Sequence, residues 1–219
     1  HQIELEAQLE AKGKTDILEM MNGELAMAGE MSFTRQMQPK GLGHAVWCAR
    51  DIIGDEPFAV ILPDVIVDGQ PGALKQLADV YAEVGGNVIG VEQVPEADTH
   101  KYGIVDPAQR DGRRISMKGM VEKPPRGEAP SNLSISGRYI LQPQIFDLLA
   151  TQGRGAGGEI QLTDAMARLM QDQAFTAYEY EGVTHDCGDK IGLLRANVAL
   201  ALKRPDLGDA AREAISALL

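Results

Sequence analysis

Cysteine is nearly absent from this chain. Cys48 and Cys187 are the only two in 219 residues. Neither a disulfide framework nor a paired-cysteine zinc motif can be read from them, and a reduced, cytoplasmic setting is the expectation. Basic charge is scarce too: 21 Lys and Arg face 32 Asp and Glu, for a net charge of -11. Phosphate-backbone binding normally leaves a basic footprint, so nucleic acid is not an expected partner. A few focused cations can still hold a small anion. No apolar run is long enough to span a bilayer and no signal peptide is visible, so no membrane partner is expected either. Internal repeats and low-complexity linkers are also missing.

What remains is a globular composition, 44% hydrophobic, long enough to bury a core without staples. The expected organisation is a single domain over 1–219 with a helical C-terminal segment at 190–219. "HQIELEAQLEAKGK" opens as part of an acidic helix. "HAVWCARDII" puts Ala45, Val46, Ala49, Ile52 and Ile53 on one helical face. "FAVIL", 58–62, is a continuous apolar run, which predicts a strand covered on both faces. Leu74, Leu77, Tyr81 and Val84 recur at helical spacing, and "NVIGVEQV" reads as the next strand. "YGIVD", "RRISMKGMVEK" and "LSISGRYIL" read as strands joined by Gly, Pro and Ser turns. Helices follow at "PQIFDLLA" and "GGEIQLTDAMARLMQD", the second with Ile160, Ala167 and Met170 as core. "AFTAYEYEG" is a short strand, and the end is helical. This alternation predicts an α/β sheet with helices on both faces and a strand-rich insertion.

Two aspartates stand where apolar strands end. Ligands of open α/β sheets bind beyond the carboxyl ends of strands. Asp64 after "AVIL" and Asp186 in "VTHDCGDKIG" could therefore grip one hard cation between them. Mg²⁺ suits one or two carboxylates plus substrate phosphates, whereas zinc needs more His or Cys ligands. The plain alternative for Asp64 is a turn. On an extended segment His185 and Cys187 point away from the face of Asp186. Cys187 then reads as a small packed residue and His185 as structural. In "MVEKPP" a bend before proline could turn Glu122 and Lys123 into one pocket, where Glu accepts from sugar hydroxyls and Lys meets a phosphate; an exposed charged turn is the plain alternative. "RQMQPKGLGHA" sets Gln36 and two glycines before a helix. It is neither a Walker loop nor a dinucleotide fingerprint, and a helix-entry turn would also explain it.

Taken in order, "RQMQPKGLGHAVWCA", "DEPFAVILPDVI", "YGIVD", "VEKPPRGEAPSNLSISGRYIL", "GGEIQLTDA" and "HDCGDKIG" resemble the uridylyltransferase branch of the sugar-phosphate nucleotidylyltransferases. The resemblance runs from about Glu4 to about Leu200. It implies a Rossmann-like mixed central sheet with flanking helices, of the nucleotide-diphospho-sugar transferase type, with a strand-rich sugar-binding insertion. It also implies Mg²⁺-dependent joining of UTP and glucose 1-phosphate to give UDP-glucose and pyrophosphate, in a homo-oligomer, dimer or tetramer.

Position by position, the resemblance implies that Gln36 and the Gly41 backbone read the uracil edge. Asp64 and Asp186 hold Mg²⁺, and Gly103 lets the sugar lie against the backbone. Glu122 binds glucose hydroxyls and Lys123 the sugar phosphate, while Glu159 and Asp164 shape the sugar side. Members of that family open with a strand and a Gly-rich loop carrying an Arg and a Lys for the triphosphate. Nothing of that kind precedes His1, so those opening units are expected to lie outside this chain. The alternatives are the same chemistry with another nucleotide or hexose phosphate, a non-catalytic nucleotide-sugar binding protein, and a hydrolase using Cys187.

Overall fold

The computed structural model describes residues 3–23 and 29–218. The chain divides into two compact units, His1–Arg35 and Gln36–Leu219. The first contains helices α1 (Ile3–Ala11) and α2 (Thr15–Gly23). Helix α1 is the expected acidic helix, although His1 and Gln2 lie outside the described residues. The turn after it uses Gly13 at φ +64°, with the Lys14 N–H donating back to the Leu9 carbonyl at 3.0 Å.

The second unit begins with two short helices, α3 (Leu42–Trp47) and α4 (Arg50–Ile53). The sequence predicts one helix here. The chain instead tightens at its end, where the Ala49 N–H bonds to the Val46 carbonyl at 3.0 Å. Of the predicted face only Val46 is buried, and Ile52 is exposed. Strand β1 (Phe58–Ile61) follows, then β2 (Val65–Asp68), helix α5 (Ala73–Val84), β3 (Asn87–Gln93), β4 (Gly103–Asp111), β5 (Arg114–Glu122) and β6 (Leu133–Leu141). The rest is α6 (Ile145–Thr151), α7 (Leu162–Leu169), β7 (Phe175–Glu179), β8 (Val183–Asp186), α8 (Lys190–Lys203) and α9 (Gly208–Ser216).

Six strands form one mixed sheet in the order β1-β6-β3-β7-β5-β4. Strands β3 and β7 pair in parallel, and the other neighbours are antiparallel. The strand-rich stretch of the sequence supplies β4, β5 and β6 to this same sheet. Strand β6 is buried at all nine positions. Alternation along β3 and β6 separates two cores. Val88 and Ile140 meet Leu77 and Val80 of α5, whereas Ile89, Val91, Tyr139 and Leu141 meet α6 and α7.

Two elements, β1 and α7, differ from the sequence expectation. Strand β1 is not covered on both faces: Phe58 and Val60 turn inward while Ala59 and Ile61 are exposed. A short apolar run does not by itself distinguish a half-buried strand from a central one. In α7 the buried stripe is Leu162, Ala165, Met166 and Leu169. Ile160, Ala167 and Met170 pack only at its margin. The helix starts at Leu162, after a short 3-10 turn at Ala156–Gly158, so its phase differs from that of the longer segment.

Candidate active site

Strands β2 and β8 form a separate two-stranded ribbon with Val65 opposite Asp186. One step further on, the Cys187 N–H donates to the Asp64 carbonyl at 2.7 Å. The ribbon thus brings together two aspartates more than a hundred positions apart. A Cβ placed on Gly188 would lie 3.1 Å from Asp186 Oδ1 and 3.5 Å from Asp64 Oδ2. Both carboxylates therefore reach one small space that the bare glycine leaves open. Asp64 also sits in the turn between β1 and β2, and that turn leaves its carboxylate free to reach this space.

That turn is held from below by Arg138. Between Ile89 and Val91 the pairing of β3 with β6 shifts register, and Gly137 adopts φ +73°. Such a bulge re-aims the side chains next to it. The buried Arg138 guanidinium donates to the carbonyls of Leu62 (3.0 Å), Gly137 (3.2 Å) and Val65. It clamps the backbone on either side of Pro63 and Asp64.

Asp64 and Asp186 line a cavity of about 280 Å³ whose walls also include Gly103, Glu122 and Lys123. Gly103 and Glu122 are opposed in the β4–β5 ladder. A Cβ on Gly103 would press on Glu122 Oε2 and Thr163 Oγ1, each at 3.2 Å. Without it, the Thr163 hydroxyl donates to Glu122 Oε2 at 2.7 Å. Lys123 then turns the chain at φ +46°, the one non-glycine residue with positive φ among the described residues. That conformation costs an L-residue roughly 1–2 kcal/mol, and such strain gathers at functional sites. It swings Lys123 to the side of its neighbour, Nζ lying 3.7 Å from Glu122 Oε1. Thus the bend before Pro124 does turn both charged groups into one pocket.

Four carboxylates, Asp64, Glu92, Glu122 and Asp186, face two ammonium groups, Lys101 and Lys123, around this cavity. Burial pushes the Glu92 carboxyl up; a hydrogen bond from Thr184 opposes this and the Asp186 charge adds to it. Burial, then Asp186, also raises the Tyr102 hydroxyl. Such an acidic hollow repels a phosphate unless a cation is added. The Asp64–Asp186 pair suits a hard divalent ion that takes its remaining oxygens from water and substrate. No group of three or more His, Cys, Asp or Glu among the described residues could hold a metal, which disfavours a closed zinc site.

Gln36 and Gly41 do not line the cavity, although the adjoining Leu42 does. Their loop docks on Glu159–Ile160: the Gly43 N–H donates to the Ile160 carbonyl at 2.9 Å and the Ile160 N–H to the Lys40 carbonyl at 2.7 Å. A Cβ on Gly41, which has φ +104°, would strike Glu159 Cβ and the Ile160 carbonyl at 2.7 Å. The Gly41 carbonyl accepts from the Ala45 N–H (3.2 Å) and from Gln36 Nε2 (3.0 Å). Glu159 and Asp164 stay outside the cavity wall. Asp164 packs against Gly155, and burial raises its carboxyl. The thiol of Cys187 reaches only the His185 carbonyl, at 3.7 Å, and His185 Nε2 is buried without a partner among the described residues. No oriented base serves that thiol among the described residues. Sequence reasoning missed Thr163, Thr184, Glu92 and Arg138; hydroxyl residues and a strand arginine carry no spacing signal.

A family model described as nucleotidyl transferase matches residues 4–202. UTP–glucose-1-phosphate uridylyltransferase 2 of Staphylococcus saprophyticus is 51% identical over 218 residues, covering 100% of this chain and 75% of that protein. The chain belongs to the bacterial UTP–glucose-1-phosphate uridylyltransferases, within the nucleotidyl transferase family. The UTP-bound UDP-glucose pyrophosphorylase of Acinetobacter baumannii matches with a TM-score of 0.87 and 42% identity, over 100% of this chain and 76% of that one. A UDP-glucose pyrophosphorylase complexed with UDP-glucose matches with a TM-score of 0.76 and 39% identity, over 79% of this chain and 66% of that one. The mixed sheet with flanking helices is thus the fold of uridylyltransferases. No helix among the described residues is long and apolar enough to cross a membrane.

Proposed function

We propose that this chain transfers a uridylyl group from UTP to glucose 1-phosphate, giving UDP-glucose and pyrophosphate. The observation that carries this reading is the convergence of Asp64 and Asp186 on one point of a cavity that also contains Glu122 and Lys123. The substrates named for the related uridylyltransferase and the UTP and UDP-glucose complexes of related structures support the choice of nucleotide and sugar.

In this reading a sugar-phosphate oxygen, already an anion at neutral pH, attacks the α-phosphorus of UTP in line. The bond from that phosphorus to the bridging oxygen breaks, and pyrophosphate leaves with the electron pair. No general base is required. The difficulty is bringing two polyanions together in an acidic hollow. Lys123 neutralises and orients the attacking phosphate. Glu122, fixed by Thr163, accepts from glucose hydroxyls, and Gly103 keeps the wall flat enough for the sugar. Asp64 and Asp186 would hold a divalent cation, Mg²⁺ in this proposal, which when bound neutralises phosphate charge in the transition state.

Uracil offers an acceptor at O4 and a donor at N3. The Gly41 N–H and Gln36 Oε1, without partners among the described residues, are the matching donor and acceptor. Residues 1–219 serve in this proposal as a single nucleotidyltransferase domain with a helical C-terminal segment from 190 to 219. It works in a cytoplasmic setting as a homo-oligomer, dimer or tetramer, to which the exposed Ile191 and Leu194 of that segment contribute.

A pyrophosphate-release assay on the full-length polypeptide tests this. It should compare UTP with CTP, ATP and dTTP, and glucose 1-phosphate with other hexose 1-phosphates. UTP with glucose 1-phosphate should give the highest kcat/KM. Preference for another nucleotide would overturn the uridylyl assignment.

A further inference from the structure

His44 does not line the cavity, yet it borders the proposed base-reading amide. Gln36 Nε2 lies 3.0 Å from the Gly41 carbonyl and 2.9 Å from His44 Nδ1. A carbonyl only accepts, so the amide nitrogen must face Gly41. The flipped amide would set two oxygens against each other. One amide hydrogen goes to Gly41 and the other is directed at His44. His44 Nδ1 must therefore be an acceptor, which leaves its ring neutral with the proton on Nε2. Cys48 Sγ, a weak donor, also lies 3.8 Å from that same nitrogen. The imidazole leans on Trp47, ring centroids 5.8 Å apart, and the Arg50 guanidinium lies 3.7 Å above the Trp47 ring. The acceptor is thus fixed in place from two sides.

We infer that His44 is a positioning residue for base specificity, holding the Gln36 amide with its oxygen presented to a pyrimidine that carries a donor at N3. The inference rests on the proposed role of Gln36 and goes further: it names the group that, beside the Gly41 carbonyl, engages the second amide hydrogen and leaves only the oxygen for the base. With both amide hydrogens engaged, Gln36 can only accept. Uracil and thymine donate at N3 and satisfy it. Cytosine offers an unprotonated N3 beside an amino group, the reverse pattern at both positions. A polar group facing its own kind in a site loses its bond to water and gains none. If the His44 acceptor is removed, the Gly41 carbonyl alone orients the amide, and the second amide hydrogen, left without its partner, becomes available to an acceptor such as cytosine N3.

The test is the ratio of kcat/KM for UTP over CTP in the full-length polypeptide. His44→Phe keeps a ring against Trp47 but has no acceptor; His44→Asn keeps an acceptor near the position of Nδ1. The ratio should fall by about tenfold or more in His44→Phe, through a raised KM for UTP. The KM for glucose 1-phosphate should hold, and His44→Asn should recover most of the ratio. Equal losses for UTP and CTP, or an unchanged ratio in a folded His44→Phe protein, would overturn the inference. A wild-type protein without preference for UTP would overturn the uridylyl reading and this inference with it. Nitrogen NMR of the wild-type imidazole gives a check that needs no variant: Nδ1 should be unprotonated and Nε2 protonated, and a proton on Nδ1 would overturn the assignment.

Discussion

Asp64 and Cys187 are joined by a 2.7 Å backbone hydrogen bond that extends the β2–β8 ribbon by one step. Through it the side chain before Val65 and the side chain opposite Val65 come to the same space over Gly188. Cys187 contributes its backbone N–H to this, whereas its thiol faces a carbonyl.

Lys123 combines the charge proposed to meet the sugar phosphate with a positive-φ backbone. Lys123→Ala should weaken use of glucose 1-phosphate by about tenfold or more, since a charge-assisted contact contributes about 1.5–3 kcal/mol. UTP binding should change far less. Lys123→Gly should lose the same contact but relieve the φ of +46°, and so melt higher than Lys123→Ala. Separate titrations of the two substrates, with thermal midpoints for both variants, check this. Equal losses for both substrates would give Lys123 a general structural role.

Thr163 orients Glu122 through a 2.7 Å hydrogen bond. Thr163→Val keeps the shape and removes the donor. KM for glucose 1-phosphate should rise by about tenfold, the value of a hydrogen bond to a charged group, with little change in KM for UTP. Steady-state kinetics with each substrate varied in turn decide it.

Asp189 caps helix α8, accepting from the N–H groups of Ile191 and Gly192, both at 2.8 Å. These two bonds, Gly192 first, hold its carboxyl below the usual aspartate value of 3.8. A depressed folded value means that the ionised cap stabilises the fold above pH 3.8. That stability disappears as the pH falls through the lower folded value. Asp189→Ala should melt below the wild type at neutral pH, and the gap should close in strong acid. Thermal midpoints across that range measure it; a gap that does not depend on pH would assign the effect to something other than the charged cap.

The sequence made some parts of this site legible and left others hidden, for physical reasons. An aspartate at the end of an apolar strand is visible, so Asp64 and Asp186 can be found, and a Glu-Lys pair before two prolines marks a bend. Family resemblance adds Gly103, whose lack of a side chain makes sense only once Thr163 and Glu122 are seen to meet across it. Thr163 and Thr184 are invisible because a hydroxyl on a helix or strand looks like any other polar position. Arg138 is hidden among the apolar residues of β6, since nothing in "SISGRYIL" indicates that a bulge turns it beneath another strand's turn. The one-sided burial of β1 is hidden for a related reason: which faces of a strand are covered depends on its neighbours in the sheet. In α7 the difference is one of phase, because the helix begins several residues after its apolar pattern does.

Two neighbours in the ribbon, Asp186 and Cys187, separate a metal-holding carboxylate from a thiol. Asp186→Asn keeps the shape, and an oxygen to accept the 2.9 Å bond from the Gly188 N–H, but removes the charge. Cys187→Ser leaves the backbone bond to Asp64 intact. Turnover, Mg²⁺ dependence and thermal midpoint should be measured on both in the full-length polypeptide. Asp186→Asn should fold and lose turnover by about 100-fold or more, while Cys187→Ser should retain most of its activity. A folded but dead Cys187→Ser beside an active Asp186→Asn would contradict that division of roles.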